Sequence, residues 1–261
     1  MKVMKPLPDI RVETKRPALD QRPLEKRVGL IALATDHTSE VDFRRMVASE
    51  RIGVYVARIP YANPTTPENL RKMKPSLSVG AALILPDEPL DAICYSCTSA
   101  SVVIGDAEIE ATIQAAKPGV PVVTPPMAGV RGLNAFGAKR ISILTPYTVE
   151  TSRPMAAYFA AHGFDIESFT CLGFEDDREM ARIKPASLVE LASRVTHAQA
   201  DALFVSCTAL RAALAVPGME AAIGRPVVTS NQASAWNCLR LCGDDAPRPA
   251  FGRLMTKPLA Q

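Results

Sequence analysis

The sequence predicts an α/β fold of two similar, doubly wound, Rossmann-like parallel-sheet domains, and two observations predict it. Short apolar runs alternate with helix-forming segments from residue 27 onward, which is the order of successive βαβ units. The segment Asp91–Ala100 (DAICYSCTSA) also recurs as Asp201–Leu210 (DALFVSCTAL), at an offset of 110 residues. The repeat predicts two domains related by pseudo-two-fold symmetry, with the ligand site in the cleft between them.

Four short apolar runs are the predicted strands of the first half, at residues 27–33, 53–59, 91–97 and 121–124. The predicted helices lie between them. Thr35 and Asp36 are suited to cap a helix that runs to about residue 48. Further helices are expected over residues 68–82, 98–116 and 125–136, and Pro75 should interrupt the first of these three.

The second half repeats this scheme, with strands predicted at residues 140–146, 165–172, 201–207 and 226–229. Helices are expected after residue 147, over 186–198, directly after Cys207, and from residue 230 to about 241. Two further blocks match: Thr35-x-x-Thr38-x-Glu40 corresponds to Thr145-x-x-Thr148-x-Glu150, and PVVT occurs at both 121–124 and 226–229.

These matches predict the domain boundaries. Residues 27–130 plus 231–261 form the first domain, which carries Cys97, and residues 131–230 form the second, which carries Cys207. Residues 1–26 are rich in Pro, Lys and Arg and lack periodicity. We interpret them as an N-terminal arm and expect it to pack on a partner subunit of a homo-oligomer, a dimer or larger.

Composition limits the possible partners. The chain has 261 residues, 48% of them hydrophobic, and a net charge of +3 without a long basic run, so we expect no nucleic acid partner. No signal sequence or membrane-length apolar run is apparent, and a chain of this size does not need disulfides, so we expect cytoplasmic localisation. The cysteine spacings and three histidines do not suit a metal site, and we expect neither metal nor other cofactor.

Cys97 and Cys207 end corresponding strands, where open parallel sheets bind ligands. Two facing domains would therefore place one thiol on each side of a small molecule. A helix start after each cysteine would lower the thiol pKa, and its backbone N–H groups would bind a carboxylate. The alternative is that both are buried structural cysteines, but their occurrence in a repeat favours function.

The sequence resembles the aspartate/glutamate racemase superfamily over residues 27–243. The resemblance rests on the two Cys-Thr joints, Gly29-Leu-Ile, Leu144-Thr-Pro-Tyr147 and Asn231-Gln-Ala-Ser-x-Trp236. The most similar branch contains maleate cis–trans isomerases, arylmalonate decarboxylases and the ectoine-utilisation protein A group. It implies that Cys97 is the nucleophile, that Cys207 is the proton donor, and that Tyr147 contacts substrate.

Two departures from the resemblance concern the substrate. Asp36 and Asp177 stand where maleate isomerases carry Asn, and an ionised Asp would repel a substrate carboxylate. A cationic nitrogen on the substrate would suit them, as in ectoine and its diaminobutyrate products. The alternatives are that Asp36 caps a helix and that Asp177 is a solvated loop residue.

The remaining predicted substrate-binding residues are Thr98, Ser99, Thr208 and Asn231. The two threonines, with nearby backbone N–H groups, are expected to hold a carboxylate, whereas Asn231 could instead be an N-cap and Tyr147 could only pack on its own domain.

Three functions follow from the sequence. The first is a cofactor-independent isomerase, a racemase or cis–trans isomerase, that acts on a small amino or carboxylic acid, with ectoine breakdown as one context. The second is a decarboxylase of the arylmalonate type that uses Cys207 alone. The third is a non-catalytic solute-binding protein.

Overall fold

Two four-stranded parallel sheets organise the protein in a computed structural model, which describes residues 8–259. The strands are β1 (Lys26–Leu33), β2 (Ile52–Ile59), β3 (Ala92–Tyr95) and β4 (Val122–Val123) in the first sheet, and β5 (Arg140–Tyr147), β6 (Asp165–Phe174), β7 (Ala202–Val205) and β8 (Val227–Thr229) in the second. The strand orders are β2-β1-β3-β4 and β6-β5-β7-β8. The equal orders confirm the predicted fold of two similar parallel-sheet units.

Eleven α-helices of the described residues connect or cover the strands. They are α1 (Ser39–Met46), α2 (Pro67–Arg71), α3 (Lys74–Leu83), α4 (Thr98–Ile104), α5 (Asp106–Gln114), α6 (Pro125–Asn134), α7 (Val149–Ala161), α8 (Asp177–Met180), α9 (Pro185–Val195), α10 (Val216–Ile223) and α11 (Ser230–Leu241). Three short 3₁₀ turns lie at Ala213–Ala215, Pro249–Phe251 and Arg253–Thr256. Within residues 8–259, none of the helices has both the length and the apolarity to cross a bilayer.

Two predicted helices are each divided in two. The helix predicted over residues 68–82 consists of α2 and α3, and Pro75 stands in the first turn of α3, where its missing N–H costs no hydrogen bond. The helix predicted over residues 98–116 is interrupted at Gly105, whose φ of 98° lies in the left-handed region. Glycine occupies this conformation without a steric penalty, so the chain changes direction between α4 and α5.

The prediction of a helix directly after Cys207 is wrong. Cys207 itself has a φ of 95°, and residues 208–212 form turns before the 3₁₀ segment and α10. Pro217 lies in the first turn of α10 and would break a helix that began earlier. We refer to residues 207–210 as the Cys207 loop. Cys97 differs from Cys207, because it is the extended N-cap residue of α4, with φ −151°.

The repeated blocks are only partly equivalent in space. Thr38 and Thr148 are the N-cap residues of α1 and α7, as an offset of 110 predicts. Thr35, however, follows the end of β1, whereas Thr145 lies inside β5. The link between strand and helix is therefore shorter in the second half, and the match of Thr35 with Thr145 does not reflect equivalent positions.

Helix α11 lies where the two halves meet. It packs against α6, α1 and β3 and is buried along almost its whole length. The C-terminal segment covers it, since the Trp236 indole N–H donates to the Lys257 carbonyl at 2.8 Å and the Gln232 amide donates to the Phe251 carbonyl at 2.6 Å. The assignment of residues 231–261 to the first domain stays a prediction, and residues 260–261 lie outside the described part of the chain.

The N-terminal arm has no helix or strand over residues 8–25, and residues 1–7 lie outside the described part of the chain. Its apolar side chains Ile10, Val12 and Leu19 are 89%, 91% and 88% exposed. The arm therefore buries none of these side chains on its own subunit, and its packing on a partner subunit stays a prediction.

A buried carboxyl group lies beneath the carboxyl ends of the strands. Asp42, in the first turn of α1, is 2% exposed, and its Oδ2 accepts a hydrogen bond from the Asn231 amide at 2.9 Å. Burial raises the pKa of Asp42 to about 6, the bond from Asn231 opposes this shift, and the neighbouring charges of Asp36 and Arg45 raise and lower the pKa respectively. The charged form of Asp42 is thus disfavoured by the fold at neutral pH.

We expect the stability contributed by Asp42 to fall as pH rises. Its pKa is higher in the folded state, about 6, than in the unfolded chain, so the folded state binds the proton more tightly between these values. The free energy of unfolding of the wild type, minus that of Asp42→Asn, should fall by roughly 2 kcal/mol between about pH 4 and pH 7. Denaturant unfolding of both proteins across this range measures the difference, and a constant or rising difference would contradict the expectation.

Candidate active site

The carboxyl ends of both sheets border one small cavity of about 20 Å³. Seven of the nine residues predicted for the site line it, namely Asp36, Cys97, Ser99, Tyr147, Asp177, Cys207 and Thr208. Cys97 follows β3 of the first sheet and Cys207 follows β7 of the second, so the duplicated motif supplies one thiol from each half. The cavity therefore lies between the two units, as the strand-end rule predicts.

Cys97 stands at the N-terminus of α4 and is 4% exposed. Its sulfur lies 3.8 Å from the Ser99 hydroxyl oxygen. Burial raises the pKa of the Cys97 thiol to about 11, although the Ala100 N–H and the hydroxyl groups of Ser99 and Tyr95 favour the thiolate. The expectation that the helix start lowers this pKa is wrong for this buried site, because desolvation is the larger effect.

Cys207 is 5% exposed, and its sulfur lies 3.9 Å from the Met180 sulfur. Burial raises the pKa of Cys207 to about 12, against hydrogen bonds from the Tyr147 hydroxyl and the backbone N–H of Ala209. Ionisation of Cys97 raises this pKa further, so the two thiols are close enough to influence each other. At neutral pH both sulfurs at the cavity are therefore protonated.

Tyr147 ends β5, is 3% exposed and lines the cavity together with both cysteines. Burial raises the pKa of its phenol, Cys207 and Cys97 raise it further, and the Ser99 hydroxyl opposes the shift. A neutral phenol of this kind donates a hydrogen bond to a thiolate or to a bound oxygen atom. The position of Tyr147 on the cavity favours a role there over packing on its own domain alone.

Asp36 lines the cavity and also caps the start of α1. Its carboxylate accepts hydrogen bonds from the Thr38 N–H at 2.6 Å, the Ser39 N–H at 2.7 Å and the Ser39 hydroxyl at 2.5 Å. Burial raises the pKa of Asp36, and these three bonds favour its charged form. The capping role considered from the sequence is thus present, together with a carboxylate at the cavity wall.

Asp177 is a buried residue that joins the two halves of the chain. Its carboxylate accepts hydrogen bonds from the Thr35 hydroxyl and, at 2.7 Å, from the Asn63 amide. Both donors belong to the first half, and Asp177 is only 6% exposed. The structure therefore excludes the alternative of a solvated loop residue.

The segment between β2 and α2, residues 60–66, forms part of the cavity wall through Tyr61 and Thr65. Its Thr65 N–H donates to the Glu175 carbonyl at 2.8 Å, and the Thr151 hydroxyl donates to the Thr65 carbonyl at 2.7 Å. Together with the bond from Asn63 to Asp177, these contacts fix the segment to the second half.

Thr98 and Asn231 differ from the expectation, because neither lines the cavity. The Thr98 hydroxyl donates to the Ser230 hydroxyl oxygen at 2.8 Å, and Thr98 is fully buried. The Asn231 amide donates to Asp42 and to the Thr208 carbonyl, each at 2.9 Å. Both side chains support the strand ends from behind, whereas Thr208 faces the cavity and its hydroxyl donates to the Ser96 carbonyl at 3.2 Å.

Five lining residues were not predicted from the sequence: Leu33, Tyr61, Thr65, Met180 and Ala209. Tyr61 and Thr65 lie in the Pro-rich segment after β2, and their hydroxyl oxygens are 2.6 Å apart. Their position just beyond a parallel strand was the available signal. Met180 lies in α8, a four-residue helix that the acidic sequence around it did not indicate.

Comparisons with known proteins show which family and which enzymes this chain is similar to. The family described as arylmalonate decarboxylase matches residues 78–255. Arylmalonate decarboxylase from Bordetella bronchiseptica is 34% identical over 139 residues, which are 52% of this chain and 58% of that protein. Maleate isomerase from Alcaligenes faecalis is 26% identical over 251 residues, 90% of this chain and 98% of that enzyme.

The fold is shared with solved structures of the same group. A cysteine-to-serine mutant of Nocardia farcinica maleate cis–trans isomerase, which carries a covalently bound succinylcysteine intermediate, superimposes with a TM-score of 0.80 at 24% identity, covering 88% of this chain and 98% of that one. The match over more than half of the sequence shows the family: this chain belongs to the arylmalonate decarboxylase family.

Proposed function

We propose that this protein is a cofactor-independent isomerase that uses Cys97 and Cys207 on opposite sides of a small amino or carboxylic acid. Its relatives are isomerases and decarboxylases, so enzymes of either class belong to the group. The observation that carries the isomerase proposal is the presence of two thiols, one from each half, on the wall of one cavity. A racemase of this kind needs an acid and a base on opposite faces of one carbon, whereas a cis–trans isomerase that works by addition needs a nucleophile and an acid at neighbouring carbons.

Two reactions fit this arrangement. In a racemisation, the thiolate of one cysteine removes a proton from the substrate carbon, and the thiol of the other gives a proton to the opposite face. In a cis–trans isomerisation, the Cys97 thiolate adds to a double bond while the Cys207 thiol protonates the neighbouring carbon. Rotation about the resulting single bond turns the original hydrogen of that carbon toward Cys207. Its loss as a proton to the Cys207 thiolate, with expulsion of Cys97, then yields the other isomer.

We infer that the substrate carries a cationic nitrogen. Asp36 and Asp177 contribute two carboxylates to the cavity wall, whereas no Lys or Arg side chain is among the residues that line it. A cation beside Cys97 would also lower its raised pKa, because it would stabilise the thiolate. Amino acids of the diaminobutyrate type, including the products of ectoine opening, have this chemistry.

Decarboxylation is the second candidate, and the 34% identity to the Bordetella decarboxylase favours it. In that reaction Cys207 alone would protonate the carbanion left by loss of CO₂. The two candidates differ in their need for Cys97, which the following experiment uses.

We expect Cys97→Ser and Cys207→Ser each to reduce isomerase turnover at least a hundredfold, because each removes a group that reacts in proton transfer or addition. Substrates are first selected by thermal shift among ectoine, diaminobutyrate derivatives, maleate, aspartate and an arylmalonate. Turnover is then followed by NMR in D₂O. Cys171→Ser, which changes a cysteine outside the cavity, is the matched control. Full activity of Cys97→Ser with release of CO₂ would replace the proposal with the decarboxylase.

We expect Asp36→Asn and Asp177→Asn each to weaken binding of a cationic ligand about tenfold, since each removes a negative charge from the cavity wall. Binding of a dicarboxylate such as maleate should improve in the same variants. Glu175→Gln, an exposed residue close to Asp177 in sequence, is the control for a change of overall charge. Equal affinities of wild type and both variants for cationic ligands would contradict the inferred substrate class.

We expect Asn63→Ala to increase the rate at which iodoacetamide labels Cys97 and Cys207 by at least threefold. The substitution removes the bonds from Asn63 to Asp176 and Asp177 that hold residues 60–66 against the second half. Asn134→Ala, at the exposed end of α6, is the control. Mass spectrometry of labelled peptides measures each thiol, and unchanged rates would show that the segment does not limit access.

A further inference from the structure

Asn231 holds the backbone of the Cys207 loop from behind the cavity. It is the second residue of α11 and is 2% exposed. Its side-chain Nδ2 donates to the Asp42 carboxylate and to the Thr208 carbonyl, both at 2.9 Å. Its Oδ1 has no hydrogen-bond partner within residues 8–259, so only the donors of this amide are used.

The orientation of this amide is determined by its two acceptors. If the amide were reversed, Oδ1 would face the Asp42 carboxylate and the Thr208 carbonyl oxygen, neither of which can donate while Asp42 is ionised. Asp42 therefore selects the orientation in which the second N–H points to Thr208. A single hydrogen bond does not compensate for burial of a carboxylate, so stability alone does not account for Asp42 at this position.

The bond to Thr208 fixes a peptide unit of the Cys207 loop. The Thr208 carbonyl and the Ala209 N–H belong to one planar peptide unit and point in opposite directions. Because Asn231 holds the carbonyl from behind the cavity, the Ala209 N–H is turned to the side on which Cys207, Thr208 and Ala209 line the cavity. This N–H lowers the pKa of Cys207 against the larger effect of burial, so the amide of Asn231 is linked to Cys207 through one peptide unit.

The loop needs such support because its backbone is strained. A non-glycine residue at φ 95°, as at Cys207, is strained and persists only when surrounding contacts impose this conformation. Two other contacts assist Asn231: the Cys207 N–H donates to the Ser230 hydroxyl at 3.1 Å, and the Thr38 hydroxyl donates to the Ala209 carbonyl at 2.7 Å. Of the three, only the contact of Asn231 determines the plane of the Thr208–Ala209 peptide.

We propose that Asn231, oriented by the buried carboxylate of Asp42, is a positioning residue that fixes the orientation of the Thr208–Ala209 peptide unit in the Cys207 loop. This inference rests on the proposed function only in taking Cys207 as a reacting thiol. Asn231 acts through the backbone and does not touch the substrate.

Hydrogen exchange measured by mass spectrometry tests this role without a substrate. In Asn231→Ala, we expect amides of peptide 203–212 to exchange at least tenfold faster, while peptide 93–104 around Cys97 is unchanged. Asp42→Ala should accelerate exchange in the same peptide at least threefold, because the amide can then rotate. Equal acceleration in both peptides, or none in 203–212, would overturn the proposal.

Two further variants separate positioning from packing. Asn237→Ala, which changes another fully buried asparagine of α11, removes a 2.7 Å bond to Arg131 and should leave exchange in peptide 203–212 unchanged. The double variant Asp42→Asn with Asn231→Asp retains a hydrogen bond between positions 42 and 231 but leaves no donor for the Thr208 carbonyl. We expect its loop to exchange as fast as in Asn231→Ala, and restored protection would overturn the proposal.

Catalysis provides the last measurement. On a substrate that requires Cys207, Asn231→Ala should lower kcat at least tenfold and change KM less than threefold. The reason is that the substitution changes the position of the reacting group and leaves the substrate-binding surface unchanged. If the wild type turns over none of the candidate substrates, the proposed function fails, and the exchange results still decide the role of Asn231.

Discussion

The site depends on hydrogen bonds between the two halves of the chain. In these bonds, residues of one half contact backbone or side-chain groups that lie beside the cysteine of the other half. The Thr208 hydroxyl donates to the carbonyl of Ser96, the residue before Cys97, while Thr98 and the Cys207 N–H meet at the single hydroxyl of Ser230. These groups are buried, so each would be costly to leave without a partner. The requirement to satisfy them keeps the two strand ends facing each other, and the cavity between the thiols is a consequence.

Burial of the site disfavours ionisation of the two thiols. The contacts around the cavity remove water from both sulfurs and raise the pKa of Cys97 to about 11 and that of Cys207 to about 12. A helix start and several N–H groups do not overcome this desolvation. Both cysteines are therefore protonated thiols in this buried site. Formation of a thiolate depends on the groups that a substrate brings when it enters.

Much of the fold could be predicted because the same sequence pattern occurs in both halves of the chain. The offset of 110 residues located both cysteines, and the strand-end rule placed seven predicted residues on one cavity. The backbone of Cys207 could not be predicted, because the same Ser-Cys-Thr sequence adopts a helix start at Cys97 and a left-handed turn at Cys207. Tertiary contacts of Ser230 and Asn231 with the Cys207 loop cause this difference. Both residues are distant in sequence from Cys97.

Asn231 shows a second limit of sequence reasoning. Its place in a recognisable motif suggested contact with substrate, but the direction of its side chain depends on Asp42, 189 residues away in the chain. Thr98 does not line the cavity for a similar reason. A residue next to a cysteine at a helix start can face either the cavity or the core, and the sequence does not distinguish the two. Patterns along the chain predict which elements meet, whereas the partner of each buried polar atom is decided by packing among elements.

The two cysteines have different surroundings, and this difference affects which of the two thiols would act as the base and which as the acid. Ionisation of Cys97 raises the pKa of Cys207, so the loss of a proton from one thiol makes the other retain its proton more strongly. Once one thiol has lost its proton, the pair therefore holds one thiolate and one thiol, which is the state that either isomerisation would require. Cys97 has the helix start, and Cys207 has the strained loop that Asn231 supports. Under the proposed function, this asymmetry of the duplicated motif would suit Cys97 to form the thiolate and Cys207 to deliver the proton.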